Sequence, residues 1–350
     1  MLNPPEKKNI KNLTHKQLQT WLEDHKVRSF RSNQILKWIY QRQADHFNEM
    51  TDVGKQLQKL LADHFYIGRL QKIKEETSSD GSRKFLFQLQ DKNQIETVLI
   101  PEKNYYTLCL SSQVGCAQGC LFCLTAMDGF IRNLTANEII CQVRDIKKNL
   151  TSSQKLSNLV FMGMGEPLAN LANILQAIDV ITNKTWGLKF SNRRITISTA
   201  GLVPKMDELG QAHDINLAVS LNAVDNPTRT RLMPINRKYP IETLLKACLN
   251  YPLPARRKIT FEYILIKGIN DSQAEADHLA FLLRPLKAKI NLIPFNEHPA
   301  SDFKRPPETV IEAFRDTLIQ RGYTVIIRRS KGQDISAACG QLRAGHSKRV

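Results

Sequence analysis

The stretch NLVFMGMGEPLANLANILQAIDVIT, residues 158–182, changes its hydrophobic period partway along. Residues 159–163 form an unbroken apolar run, as in a strand buried on both faces, whereas 173–182 repeat apolar residues at the three-and-four spacing of a helix. Gly163, Gly165 and Pro167 punctuate the change. The same unit recurs downstream: RRITIST (193–199) then VPKMDELGQA (203–212), INLAVSLN (215–222) then IETLLKACLN (241–250), KITFEYILI (258–266) then AEADHLAFLL (274–283), KINLIPFN (289–296) then TVIEAFRDTLIQ (309–320), and finally TVIIRRS (324–330). Repeated strand–helix units predict a parallel sheet with right-handed crossovers, and so a full or partial (β/α) barrel with its chemistry at the strands' C-terminal ends.

Upstream the pattern differs. Leu18, Trp21 and Leu22, then Ile35, Leu36, Ile39 and Tyr40, then Leu57, Leu60 and Leu61 recur at helical spacing, interleaved with Arg28, Arg31, Lys37, Arg42, Lys55 and Lys59. From Arg69 the period becomes two, through the turn SSDG at 78–81 and on to QIETVLIP. The expected organisation is an accessory domain at 1–90, a core barrel at 91–332 and a C-terminal segment at 333–350.

The chain has 350 residues, 50 Lys and Arg against 33 Asp and Glu, and a formal charge of +17. Such an excess fits a polyanionic partner, because each basic group set against a phosphate releases condensed counterions. The basic helices, Arg193-Arg194, Arg229, Arg231 and Arg328-Arg329-Lys331 are candidate phosphate contacts, and the last thirty residues carry seven Lys or Arg. No run approaches 18 apolar residues, and the N-terminus lacks the apolar stretch of a secretory signal. A soluble cytoplasmic protein is expected, with its seven cysteines as thiols or ligands rather than a disulfide framework.

Three of those cysteines fall within eight residues: Cys116-Ala-Gln-Gly-Cys120-Leu-Phe-Cys123. Three thiolates bind a soft metal or an iron–sulfur cluster, one short of saturating either a structural zinc site or a cubane. C-x3-C-x2-C heading a run of strand–helix units resembles the radical S-adenosylmethionine (SAM) superfamily. The strings TLCLSSQVGCAQGCLFCLTAMDGFIRNL, FMGMGEPLAN, ITISTAG, RLMPINRKYP, NLIPFN and DISAACGQL narrow the resemblance to the bacterial adenine-C2 RNA methyltransferases, from about residue 20 to 345.

The resemblance implies a partial (β/α) barrel of the radical SAM type with a small N-terminal helical domain. It implies a 4Fe-4S cluster on Cys116, Cys120 and Cys123 whose open iron takes SAM. It assigns SAM binding to Gly165, Glu166, Ser198, Ser220, Leu221, Asn222 and Asn296. Where the family has Ser-Leu-His this chain has Ser220-Leu221-Asn222, and an asparagine cannot titrate near neutral pH. The implied substrates are adenine 2503 of 23S ribosomal RNA and adenine 37 of transfer RNA. The implied partners are those RNAs and a reducing electron-transfer protein, with the enzyme a monomer away from the membrane.

Adenine C2 is electron-poor, so a carbon radical suits it better than ordinary methyl transfer. By resemblance, one SAM methylates Cys339, a second SAM provides the radical that activates that methyl, and the activated carbon adds to C2. Cys109 then attacks Cys339 sulfur, releasing methylated RNA and leaving a transient disulfide. Small neighbours around Cys339 predict an accessible sulfur on a mobile segment. Glu96 shares strand parity with Val98 and Ile100, and the family pattern places the proton-accepting carboxylate there. Cys141 and Cys248 read as buried helical thiols without a role. Two other readings compete: a sibling enzyme methylating adenine C8, and a non-catalytic RNA-binding protein with a structural zinc.

Overall fold

The computed structural model describes residues 7–151 and 153–344. Lys348 and Arg349, counted above in the basic tail, lie outside the described residues. Contacts divide the chain into two compact units, one gathering the chain up to Gln71 with Leu134–Gln154 and Ala172–Ser191, the other holding Lys72–Asn133, Lys155–Leu171 and the chain from Asn192.

The first unit is helical. Its helices include His15–Asp24, Arg31–Tyr40, Lys55–His64 and Ala136–Lys148, the first and last opened by capping boxes from Thr14 with Gln17 and Thr135 with Glu138. The apolar positions of the helical pattern turn inward: Leu18, Leu22, Ile35, Leu36, Ile39 and Leu61 are buried with Ile139, Ile140 and Val143. Arg28, Lys37, Arg42, Lys55 and Lys59 are exposed, and Arg31 lies over the ring of the exposed Phe30.

At the centre of this unit stands Arg144, fully buried. Its guanidinium donates to the carbonyls of Ile39 and Ala44 and pairs with Asp45 at 2.9 Å and Asp145 at 2.8 Å. Asp45 also takes Arg69 and Lys148, and this surplus of cations holds its carboxyl well below the usual carboxylate range. Replacing a buried ion by a small apolar group strands its partners. Arg144→Ala should therefore cost about 3–5 kcal/mol, read as a lowered urea midpoint; a loss under about 1 kcal/mol would show that the network contributes little.

The second unit is built on an open ten-stranded sheet whose spatial order follows chain order. Its strands are β1 (Gln71–Thr77), β2 (Arg83–Gln88), β3 (Gln94–Pro101), β4 (Tyr106–Cys109), β5 (Leu156–Phe161), β6 (Ile195–Thr199), β7 (Asn216–Ser220), β8 (Ile259–Leu265), β9 (Ala288–Pro294) and β10 (Val325–Ile327). From β4 to β10 every neighbouring pair is parallel, while β2–β3 and β3–β4 are antiparallel. This is the expected partial (β/α) barrel, with a hairpin extension at one edge.

Register sorts the side chains. One face carries Leu108, Leu159, Phe161, Ile197, Leu217, Val219, Phe261, Tyr263 and Leu292, all buried. Tyr263 stacks obliquely on Phe314 of the helix Glu308–Gln320, which belongs to the layer covering this face. The opposite face, with period two, carries Cys109 opposite Val160, then Ser198, Ser220 opposite Glu262, and Ile264 opposite Ile293. Polar and thiol groups concentrate on that second face. No helix among the described residues is long and apolar enough to cross a membrane.

Candidate active site

The cysteine loop leaves the sheet after β4. The run TLCLSSQVG reads as one strand but is two: β4 stops at Cys109, and Gln113–Gly115 pairs instead with Phe130–Asn133. Gly115 has a positive φ, and a Cβ there would sit 1.9 Å from the carbonyl oxygen of Gly129, so only glycine lets the two backbones close. The amide of Cys116 donates to that same oxygen at 2.8 Å, and this fixes the start of the loop.

Cys116, Cys120 and Cys123 line one cavity of about 140 Å³ with Gly165, Glu166, Ser198, Ser220, Glu262 and Cys339. Burial pushes the Cys116 thiol up to about 12 and raises Cys120 and Cys123; repulsion from the neighbouring thiols adds to the shift at Cys116 and Cys120. Three desolvated thiols around one concavity become thiolates only beside a cationic group of their own. A soft-metal cluster is such a group. Among the described residues no three His, Cys, Asp or Glu side chains converge as around a single ion. In a cubane each cysteine takes a different iron, and three thiols lining one concavity fit a 4Fe-4S cluster.

Gly165 and Glu166 form the adjoining wall. A Cβ on Gly165 would fall 2.4 Å from Gln113 Cβ, and its φ of +98° is one that side chains rarely adopt. The buried Glu166 carboxylate accepts the amides of Leu168 at 3.0 Å and Ala200 at 2.7 Å. Desolvation raises its pKa, and the two amides oppose the shift. A carboxylate has about four lone-pair sites, so Glu166 keeps acceptor capacity for an ammonium. Ser198 and Ser220, at the ends of β6 and β7, face the same space.

Leu221, Asn222 and Asn296 do not line this cavity. Leu221 is fully buried, its amide donating to the backbone carbonyl of Glu262. Asn222 adopts φ +59°, a left-handed conformation that asparagine tolerates; its side chain accepts the Ile264 amide at 2.8 Å and points its nitrogen at Met233 sulfur. It is a backbone clamp between β7 and β8. Asn296 donates to the Cys339 carbonyl at 3.0 Å and accepts from Gln333.

A second cavity, of about 310 Å³, holds Cys109 and Cys339 together with Met162, Arg328, Arg329 and Lys331. Cys339, Met162 and Ile293 line both cavities. Cys109 is only 7% exposed; burial pushes its thiol up to about 12, with Cys339 adding to the shift, and burial raises the Cys339 thiol as well. The expected mobile segment is instead tied down. Gly340 oxygen accepts the Leu124 amide, Leu342 oxygen the Thr125 hydroxyl, and Asp334 the Ser78 hydroxyl and Ser79 amide. Small residues there serve close packing, and Cys339 is reached through the cavities.

Glu96 lies on the Cys109 face of the sheet, since Val98 pairs with Cys109. It is buried and borders neither cavity, its carboxylate held by Lys84 at 3.1 Å and by the Arg343 amide at 2.8 Å. Arg229 is corrected as a phosphate contact. It is fully buried, donating to the carbonyls of Leu221, Ala200 and Ser220 and to Asn236, and burial pulls its guanidinium down to about 10. Glu262 is a site residue the sequence reading missed. The signal was present, since it is an acid in an otherwise apolar strand, sharing parity with Ile264.

Comparison with known proteins places the whole chain in one family. Residues 8–67 match the model of the ribosomal RNA large subunit methyltransferase N-terminal domain, and residues 110–280 that of the radical SAM superfamily. The dual-specificity RNA methyltransferase RlmN of Desulfosudis oleivorans is 55% identical over 96% of this chain and 90% of its own length. That of Geobacter sulfurreducens is 50% identical over 96% and 92%. A radical SAM methyltransferase of Sphaerobacter thermophilus superposes with a TM-score of 0.90 at 42% identity, covering 96% of this chain and 99% of that one.

Proposed function

This chain belongs to the dual-specificity RNA methyltransferases of the radical SAM superfamily, and from that premise we propose that it methylates C2 of adenine, at position 2503 of 23S ribosomal RNA and position 37 of transfer RNA. Enzymes of this superfamily use a 4Fe-4S cluster and SAM. When bound, the cluster supplies the electron that splits SAM and so provides a radical for an electron-poor ring carbon. Cys116, Cys120 and Cys123 would hold it, Gly165 and Glu166 the amino end of SAM, and Ser198 and Ser220 its remaining polar groups.

One observation carries the reading: Cys339 belongs to the walls of both cavities. A methyl-accepting thiol must meet SAM on one side and the target base on the other, and a shared wall residue does both. Cys109, in the larger cavity, is placed to attack the Cys339 sulfur once the base is joined to it. Glu96 stays the proposed proton acceptor on the family pattern alone, since it borders neither cavity and its carboxylate is held by Lys84 and the Arg343 amide. Asn296 and Asn222 act by holding backbone, Asn296 on Cys339 itself. The target adenine is splayed out of its stack to enter. Mass spectrometry of nucleosides from RNA treated with the reconstituted enzyme tests this directly; 2-methyladenosine supports the reading and 8-methyladenosine overturns it.

The basic face of the helical unit is the proposed RNA-binding element. Deleting residues 1–90 would also strip β1 and β2 from the sheet, so the cleaner test is charge. Replacing the exposed Lys37, Arg42, Lys55 and Lys59 by Glu should weaken binding to long RNA by at least tenfold. Each lost phosphate contact should flatten the salt dependence by roughly 0.7–0.9 in log–log slope. Unchanged RNA affinity and slope would remove this face from the interface.

A further inference from the structure

A thiol that takes a methyl group from SAM must react as its thiolate, and the Cys339 thiol is half-buried in the wall of this cavity, where partial desolvation disfavours that form. Three cations line the cavity among the described residues. Arg329 is mostly exposed and paired with Glu308 at 2.9 Å, and Lys331 is bound to the Pro101 carbonyl and neighbours Glu102 at 3.9 Å. Arg328 is placed differently. Its Nη1 lies 3.3 Å from Met162 sulfur and 3.5 Å from Glu262 Oε1. Met162 lines both cavities and Glu262 the cluster-side one, so the guanidinium sits at the seam that Cys339 also occupies. The other Glu262 oxygen accepts Ser198, while Oε1 is buried with no hydrogen bond of its own. Its compensating charge is Arg328.

We infer that Arg328 is a positioning residue for the reaction: held at the seam by Glu262, its guanidinium stabilises the Cys339 thiolate that accepts the methyl group. This rests on the reading of Cys339 as methyl acceptor. The thiol proton leaves to solvent; the thiolate sulfur then forms a bond to the methyl carbon, and the broken carbon–sulfur bond of the sulfonium leaves its electron pair on S-adenosylhomocysteine. The mutual electrostatics agree, because the Arg328 charge favours ionisation of both Cys339 and Cys109 against their burial. The other titratable or charged groups facing this space are Glu102, Arg329, Lys331 and Cys109 on the larger cavity and Glu166, Glu262, Cys116, Cys120 and Cys123 on the cluster side, of which Glu262 and Cys123 oppose ionisation of Cys339.

The test separates thiol reactivity from turnover. Holoenzyme reconstituted anaerobically, without SAM, is alkylated with iodoacetamide, and the Cys339 peptide is followed by mass spectrometry. Arg328→Gln should slow that alkylation about tenfold at neutral pH, the equivalent of about one pKa unit, with the rate recovering as pH rises and cluster absorbance unchanged. Arg328→Lys should stay within about threefold of wild type. Arg328→His gives a second handle should the Gln variant not fold: its rate relative to wild type should fall between pH 6 and 8 as the imidazole loses its charge. Equal alkylation rates across the variants, with only the KM for RNA raised, would overturn the inference and make Arg328 an RNA contact. If wild-type Cys339 never gains a methyl group from SAM, the methyl-acceptor reading fails, and the alkylation series still decides what Arg328 does.

Discussion

Cys109→Ala enzyme, supplied anaerobically with SAM, reductant and substrate RNA, is expected to load Cys339 with methyl, consume SAM and then stop as a covalent adduct, protein joined to RNA by a methylene bridge between Cys339 sulfur and adenine C2. Released methylated RNA should fall to background. The argument is one of reach. Some thiolate must attack the Cys339 sulfur to free the product, and Cys109 is the other cysteine lining the cavity that holds it. Cys116, Cys120 and Cys123 would be committed to iron. Cys141 is buried in the helical unit, its sulfur 2.7 Å from Lys11 Nζ, and Cys248 is buried in the helix Ile241–Asn250. Cys339→Ala should instead give neither methylated protein nor adduct. Denaturing electrophoresis with labelled RNA resolves the outcomes. Free product from Cys109→Ala at the normal rate, or an adduct formed by Cys339→Ala, would reverse the assignment.

Replacing Cys116, Cys120 or Cys123 singly by Ala should abolish SAM cleavage and the absorption near 400 nm while the sheet stays folded. The two halves of this expectation have separate causes. Activity vanishes because two thiolates cannot hold the cluster in the geometry that leaves one iron open for SAM. Folding survives because the loop is anchored by backbone contacts of its own: Cys116 amide to Gly129, Leu121 amide to Leu232 and Leu124 amide to Gly340. Phe122 adds a packed apolar side chain alongside Leu232 and Met233. Iron content and far-ultraviolet circular dichroism together check it. Stoichiometric zinc and no iron after anaerobic expression of the wild type would point to the structural-zinc reading.

The architecture was legible because it rests on periodicity. Each run such as ITIST or INLAVS sets large apolar residues on one parity, Ile195 and Ile197 or Ile215, Leu217 and Val219, for the covered face and small or polar residues on the other for the site, and each following helix repeats at three and four. The thiol trio was equally legible, since its meaning lies in local spacing. The break inside TLCLSSQVG was not. Its composition is strand-like throughout, and what separates its second half from the sheet is the pairing of Gln113–Gly115 with Phe130–Asn133, a segment absent from the run itself.

By itself the sequence determined which residue types stand at the ends of which strands, and so the kind of chemistry this protein can hold. Tertiary structure decided which of those residues share a space. Register between parallel strands sets Ser220 beside Glu262 and Cys109 beside Val160, and register is a relation between segments of chain far apart in sequence. The fate of each charge was decided the same way. Arg229 and Arg328 are both arginines in basic stretches, yet one is walled in by backbone carbonyls while the other stands in a cavity against Glu262 and two thiols. A guanidinium is stable wherever acceptors surround it, and where acceptors gather is known only once distant segments of the chain have met.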